Sequence, residues 1–525
     1  MSKTVATLAA NIDDMTAADL LVGLPARLHN VYEPFVQSQP DRQAFLEGGR
    51  TWTYAEFSGA VDAVAADMTR LGVRGGDRVM IVSENSVVAG AVVFAASKLD
   101  AWAIVANPRL SPRELDQIYE HSGARRRFFA AAISSEAAEH GARTGAQVGS
   151  LGPFADIAIG ARNEDAKPEP VHADNAHQVA VLIYTSGTTG APKGVMLSHR
   201  NLMFAAKVSG MLRRYSPADC TYGVLPMSHI VGLSIGLVGS MMFGASKMMV
   251  PKSDPAHLAD VMAKGQITLL FGVPATYQRL LAHKTVANLP RLETGRLRSA
   301  GVAGAPLDLA LKGRVEQEFG IPLSNGYGIT ECSPSISGVR EGAPVADESV
   351  GTIIPGVETR VVNSYGEPVA PGEIGELHIR GPNVMLGYYR AKDLTDKAVD
   401  SNGWFFSGDL VRFQGANLYI VGRAKEMIIR SGFNVYPAEI EAVINEHKGV
   451  MQSAVVGRQV EGNEEVVAFV HLVPGASLTP EALKAFIDPQ LTAYKRPSEI
   501  VMLDSFPAGS TGKILKHILK ARANA

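Results

Sequence analysis

Short runs of consecutive apolar residues alternate with longer segments of helical periodicity through most of the chain. "DRVMIVSEN" (77–85) reads as a buried strand, and "SVVAGAVVFAASKL" (86–99) reads as the helix packed behind it. Repeated alternation of this kind predicts an α/β protein with parallel sheets wound on both faces by helices. Helix starts are well marked. Ser111, Pro112 and Glu114 supply a cap, a first-turn proline and a capping-box acid, and Thr479 with Pro480 repeats the device. From about residue 350 the pattern changes to short alternating runs such as "VETRVV" and "GELHIRG", which predict an antiparallel or barrel-like section. After "YIVGRAKEMI" a compact α+β tail is expected: helix 437–447, strands near 453–457 and 464–473, and helix 480–487. Stretches 161–178 and 340–350 read as surface connections. The predicted division is a large unit 1–421, a connection 422–427 and a small unit 428–525.

At 525 residues the chain is too long for a single core. Hydrophobic residues at 46% and charged residues at 19% fit an ordinary globular protein. A formal net charge of -2 gives no reason to expect nucleic acid as a partner. The two cysteines, Cys220 and Cys332, stand far apart in no metal-ligand spacing and read as reduced thiols of a cytoplasmic protein. The first residues lack a long apolar segment, so no secretory signal is expected. One long uncharged run, "IVGLSIGLVGSMMFGAS" (230–246), contains Gly232 and Gly236 in GxxxG spacing, but glycines and serines interrupt it. It is expected to be a buried helix beside a pocket and not a membrane span.

The chemistry is concentrated in a few stretches. A strand at 179–184 is followed by Thr185, Ser186, Gly187, Thr188, Thr189, Gly190 and Lys193, so amides, hydroxyls and one ammonium can surround a polyphosphate. The GxxxxGK[ST] order of a Walker loop is absent, and alone the stretch also fits a surface turn. Further on come "AGAPL" (303–307), "NGYGITE" (325–331), "FFSGD" ending at Asp409, "VGRAKEMIIRSGFNVYPAEIE", and "PAGSTGK" ending at Lys513.

In order and spacing, these stretches resemble the sequence cores of the adenylate-forming superfamily, in its acyl-CoA synthetase branch. The resemblance implies a two-step ligase using ATP, Mg²⁺ and coenzyme A: a carboxylate attacks the α-phosphate, and the thiol then displaces AMP. It also implies that the small C-terminal domain is mobile. By the same resemblance, Glu331 holds the metal, Thr330 touches the α-phosphate, and Tyr327 with Gly304, Ala305 and Pro306 borders the adenine. Asp409 takes the ribose hydroxyls, a task suited to an acceptor-only group, and Arg423 adds a ribose or phosphate contact. Lys513 bridges the reacting carboxylate and the α-phosphate. Lys425 falls at the family's hinge, and Gly432 at the glycine beside the pantetheine arm. "FFSGD" departs from the family's frequent "HTGD", and Asp100-Ala101 replaces a Gly-Ala pair ahead of Asn107-Pro108.

His229 matches a position bordering the acyl carboxylate and is grouped with the catalytic residues, its proton chemistry left open. Val231, Gly232, Ile235, Val302, Ala303 and Pro334 match acyl-pocket positions. All are apolar or small, and no cation lies between His229 and Lys247, which argues against a malonate-type diacid. The expected substrate is a small-molecule hydrophobic monocarboxylic acid, either a medium-to-long fatty acid or an aryl acid. Transfer to a carrier-protein thiol or another acceptor is the alternative, and a non-catalytic nucleotide-binding protein is disfavoured by the retained Glu331, Asp409 and Lys513. The spacing around Lys513 also resembles a site of reversible acetylation, implying an acetyltransferase and a deacylase as partners.

Overall fold

A computed structural model describes residues 12–186, 192–431, 433–461, 463–508 and 514–525. Gly187, Thr188, Thr189, Gly190, Gly432 and Lys513 lie outside these residues.

Strand Arg78–Val82 is buried along its whole length and pairs in parallel with Trp102–Ala106 and Arg126–Ala130. With Val179–Ser186, Pro192–Ser198, Gly387–Tyr388, Phe154–Ile159 and Gln147–Leu151 they form an eight-stranded sheet, parallel at its centre and antiparallel toward both edges. Behind it runs helix Val87–Lys98, capped by Ser86, whose hydroxyl accepts from the Ala89 amide. Every residue from Val87 to Ser97 is buried, the signature of a helix enclosed on all sides. It sits in the largest apolar core of the molecule beside helix Tyr54–Arg70.

A nine-stranded sheet is parallel from Gln43–Glu47 through Ser246–Met249, Cys220–Gly223, Leu269–Gly272 and Ser299–Val302 to Leu323–Gly328. The section beyond residue 350 is an open four-stranded antiparallel sheet, ordered Glu358–Val362, Gly375–Arg380, Phe405–Gln414, Asn417–Arg423. In the tail, helices Pro437–Asn445 and Pro480–Ile487 pack on a three-stranded sheet of Val450–Val460, Asn463–Leu472 and Glu499–Leu503 around a separate core. Thr479 caps the second helix through the Ala482 amide, as its sequence predicts.

Two segments differ from the pattern's reading. The strand expected to end at 184 continues to Ser186, because Thr185 pairs with Lys193 and Ser186 with Pro192 across an antiparallel hairpin. Hydroxyl side chains do not interrupt a ladder whose backbone groups have partners. Thr185 and Lys193, the outer members of the glycine-and-threonine stretch, therefore face each other across that ladder. The uncharged run contains a π-helix, Val231–Gly239, then the turn Ser240–Met242 and strand Ser246–Met249. π-helical turns widen a helix and recur at functional sites. Among the described residues no helix is long and apolar enough to cross a membrane.

Candidate active site

Ligands of open α/β sheets bind beyond the carboxyl ends of the strands. Strands Ser299–Val302 and Leu323–Gly328 are parallel neighbours, with Val302 opposite Asn325, so the segments following them emerge side by side. The first is 303–306, where Gly304 turns the chain at φ 85° and Gly304 and Pro306 are exposed. The second carries Tyr327 and then the tight turn Thr330–Cys332.

Glu331 is fixed from two directions. Its carbonyl accepts from the Met385 amide at 2.8 Å, and its carboxylate Oε1 accepts from Tyr388 Oη at 2.8 Å. Segment 385–389 then pairs with the second hairpin strand, Tyr388 opposite Val195. Lys193 Nζ lies 5.4 Å from the centre of the Tyr388 ring. The cation of the hairpin, the aromatic ring and the carboxylate thus form one connected group. Sequence reasoning missed Tyr388, which is 57 residues from its partner. One carboxylate suits a Mg²⁺ ion completed by phosphate oxygens and water. The described residues hold no group of three or more His, Cys, Asp or Glu that would cage a metal without substrate.

The second group is built on Asp409, which is only 3% exposed. Tyr327 Oη donates to its Oδ2, and Arg423 Nε lies 3.0 Å from Oδ1. Burial first, and the Asp409 charge second, hold the Tyr327 phenol far above its ordinary value, so it remains a donor. Ser407 Oγ accepts from the Asp409 amide at 3.0 Å and donates to the Leu377 carbonyl at 2.6 Å. Gly408 takes φ 69° between them. "FSGD" therefore keeps the hydroxyl that shapes this turn, while Phe406 packs against His378 with ring centres 4.5 Å apart. The other departure is also accommodated: Asp100 adopts φ 53°, a conformation that favours glycine, and its carboxylate accepts from Arg27 Nε at 2.6 Å.

The third group borders the uncharged run. Buried Asn85 joins the two large sheets: its Nδ2 donates to the carbonyls of Gly223 and Leu225, and its Oδ1 accepts from the Met227 amide. That clamp positions His229, whose Nε2 is buried with no hydrogen-bond partner among the described residues, as is Ser228 Oγ. Burial pulls the His229 imidazole down to about 4, so it is neutral at physiological pH. Beyond it lies a narrow cavity of about 20 Å³, whose lining includes Val231, Gly232, Ile235, Gly236 and Lys247. Val231, Gly232 and Ile235 are thus brought together. Val302 is instead fully buried in the core beneath the nine-stranded sheet, and Ala303 and Pro334 do not line this cavity. No cation lies inside the interval from His229 to Lys247, but Lys247 itself, only 2% exposed, reaches the cavity. That removes the argument against a second polar group on the acid.

Lys425 is exposed in the turn after strand Asn417–Arg423, where the amides of Glu426 and Met427 donate to the Arg423 carbonyl. Lys516 Nζ lies 2.8 Å from Glu441 and 3.3 Å from Glu426, tying the last helix to this turn. Burial opposes its charge, and the two carboxylates outweigh burial, so its ammonium is raised.

This combination of sheets, hairpin and carboxylate groups defines an adenylate-forming enzyme. Residues 32–389 match the AMP-binding enzyme family, and residues 439–513 match the AMP-binding enzyme C-terminal domain. The chain is 31% identical to a long-chain-fatty-acid–CoA ligase of Escherichia coli, covering 94% of each chain. It is 32% identical to a 2-succinylbenzoate–CoA ligase of Geobacillus kaustophilus, covering 92% of this chain and 95% of the relative. The ATP-bound structure of MatB from Rhodopseudomonas palustris superposes with a TM-score of 0.83 at 30% identity, over 94% of this chain and 98% of that one. The chain belongs to the AMP-binding enzyme family, in the acyl-CoA synthetase branch of the adenylate-forming superfamily.

Proposed function

We propose that this AMP-forming acid:CoA ligase activates a carboxylic acid with an apolar body, of the medium-to-long-chain fatty or aryl class. The observation that carries the reading is that one strand, Leu323–Gly328, and the turn after it feed two groups: Glu331 joins Tyr388 and Lys193, and Tyr327 joins Asp409 and Arg423.

The acid's carboxylate oxygen attacks the α-phosphorus, the bond to the bridging oxygen breaks, and pyrophosphate leaves. The thiol of coenzyme A then attacks the acyl carbon and AMP departs. Asp409 accepts the ribose hydroxyls, Tyr327 and segment 304–306 border the adenine, and Thr330 reaches the α-phosphate. The hairpin from Thr185 to Lys193 takes the outer phosphates. Glu331 would hold a Mg²⁺ ion, which would supply positive charge to offset the two approaching anions. Neutral His229 borders the acyl carboxylate.

Lys513 supplies the cation of the first step, and its acetylation and deacylation would switch that step. Residues 1–421 and 428–525 act as two domains about a hinge at 422–427, with Lys425 at its centre and Gly432 meeting the pantetheine arm. Free, buried Cys220 and Cys332 agree with a cytoplasmic setting.

The test is pyrophosphate release over a panel of fatty and aryl acids, with and without coenzyme A. Release with at least one such acid and formation of its thioester are expected. No release with any acid would overturn the reading. Adenylation without transfer to coenzyme A would redirect it to a carrier-protein thiol or another acceptor.

A further inference from the structure

Lys247 is a buried lysine in a parallel strand, opposite Phe45 in the register. Its ammonium has neither a hydrogen bond nor a salt bridge to any described residue; Cys220, itself buried, is the titratable group whose charge it senses. A buried polar group normally has a partner, and a buried charge still more so. The surroundings leave this one room. A Cβ added at Gly236 would stand 3.0 Å from Lys247 Nζ, and one at Gly223 3.3 Å from it. Gly232, the other half of the GxxxG pair, is needed for a different contact: a Cβ there would meet the Pro226 carbonyl oxygen at 2.1 Å. One glycine seats the π-helix on the turn that precedes it, and the other seats the ammonium.

The ammonium lines the same cavity as Val231 and Ile235, where the acyl chain is expected. A cavity of about 20 Å³ admits roughly one water-sized group. Mainly apolar walls, with Thr221, Tyr215 and Tyr222 among them, and an unpartnered donor describe a seat for a single polar group at the tip of a ligand.

Resting on the acid:CoA ligase reading, we propose that Lys247 recognises an oxygen acceptor at the far end of the acid, a carbonyl, hydroxyl or second carboxylate oxygen distal to the reacting carboxyl. A site built to donate a hydrogen bond discriminates strongly against an analogue lacking the acceptor. Burial, which lowers the Lys247 ammonium to about 8, leaves it largely protonated at neutral pH and able to donate in either charge state.

The experiment compares full-length wild type with Lys247→Met on matched acids of equal carbon number: the plain fatty acid, its ω-hydroxy and ω-oxo analogues and the α,ω-dicarboxylic acid. Cinnamate and para-hydroxycinnamate form an aryl pair. In wild type, kcat/KM for an oxygen-bearing acid is expected to exceed that of its plain partner by at least about tenfold, with Lys247→Met abolishing or reversing the order. Gly236→Ala, which crowds the ammonium, should lower the same ratio. An unchanged ratio in Lys247→Met overturns the proposal, whichever oxygen group is preferred. Should no acid release pyrophosphate in either protein, the ligase reading fails. The Lys247 assignment is then judged by thermal stabilisation with the same acids: a greater shift for oxygen-bearing acids, lost in Lys247→Met, sustains it, and equal shifts in both proteins overturn it.

Discussion

Tyr327 and Asp409, 82 residues apart in sequence, are joined by a hydrogen bond in which the phenol donates to one carboxylate oxygen, while Arg423 holds the other. Two separate sheets therefore meet at a single acid. Asp409→Asn removes the carboxylate proposed to accept the ribose hydroxyls and leaves Arg423 beside a neutral group. ATP affinity should fall at least about tenfold, read by calorimetric titration. Tyr327→Phe deletes one donor to a buried carboxylate, at a cost of about 1–3 kcal/mol in denaturant unfolding. Undiminished ATP binding by Asp409→Asn would remove it from the nucleotide site.

Glu331→Gln keeps the shape of the side chain and removes its charge. Adenylation should fall about a hundredfold or more, with ATP binding largely retained, because the loss concerns charge at the transition state. Tyr388→Phe leaves the carboxylate charged but less firmly held, so a smaller loss, about fivefold to tenfold, is expected in the same pyrophosphate-exchange assay. Equal losses in both variants would show that Tyr388 does more than position Glu331.

Lys247 also makes a stability prediction. Its folded value of about 8 lies below its ordinary 10.5, so burial disfavours the charged form. Below pH 8 the lysine is charged in both the folded and unfolded states, and the folded state bears the full desolvation penalty. Between pH 8 and 10.5 the unfolded state binds more protons, so this residue's contribution to stability rises with pH. Lys247→Met should therefore be more stable than wild type at pH 7, on the order of 3 kcal/mol. The difference should shrink as pH passes from 8 to 10.5. Paired urea titrations at pH 7 and pH 10 would read it, and a constant difference would contradict the burial.

Lys425→Pro addresses the hinge. Among the described residues the Lys425 amide donates no hydrogen bond, so proline removes none and acts by fixing φ. Acyl-adenylate formation should survive, while thioester formation from supplied acyl-adenylate drops at least about tenfold. Lys513→Ala should show the opposite split. Parallel loss of both half-reactions in Lys425→Pro would argue against rotation at that turn.

The elements that sequence reading placed best are those whose burial is uniform or whose caps are local. Helix Val87–Lys98 and the capping box Ser111–Glu114 are examples. The hairpin was harder, because Thr185 and Ser186 look like loop residues until their partners across the ladder are known. Asp409, Tyr327 and Arg423 were legible as separate motifs, and their mutual contacts appear only in three dimensions. Lys247 was missed for a physical reason. One lysine in "GASKMMV" does not reveal which way it faces, and its cavity forms only once the neighbouring strands and the π-helix are packed together. The signal that could have found it is the lysine itself, a charge inside an otherwise apolar strand.

The register of the nine-stranded sheet sets a timetable for synthesis. Strand Gln43–Glu47 pairs with Ser246–Met249, and Tyr54 Oη donates to the carbonyl of Ala245, 191 residues later. A ribosome adding about 10 residues per second takes roughly 20 s to cover that interval. Throughout it, Phe45 and Trp52, both buried in the finished protein, have no completed sheet to pack against. Cutting the gene between the two large sheets would not yield two self-sufficient halves, since the first piece holds a strand that belongs to the second. The nascent chain is therefore expected to engage a holding chaperone through its first hundred residues and to release it only after residue 249 has emerged.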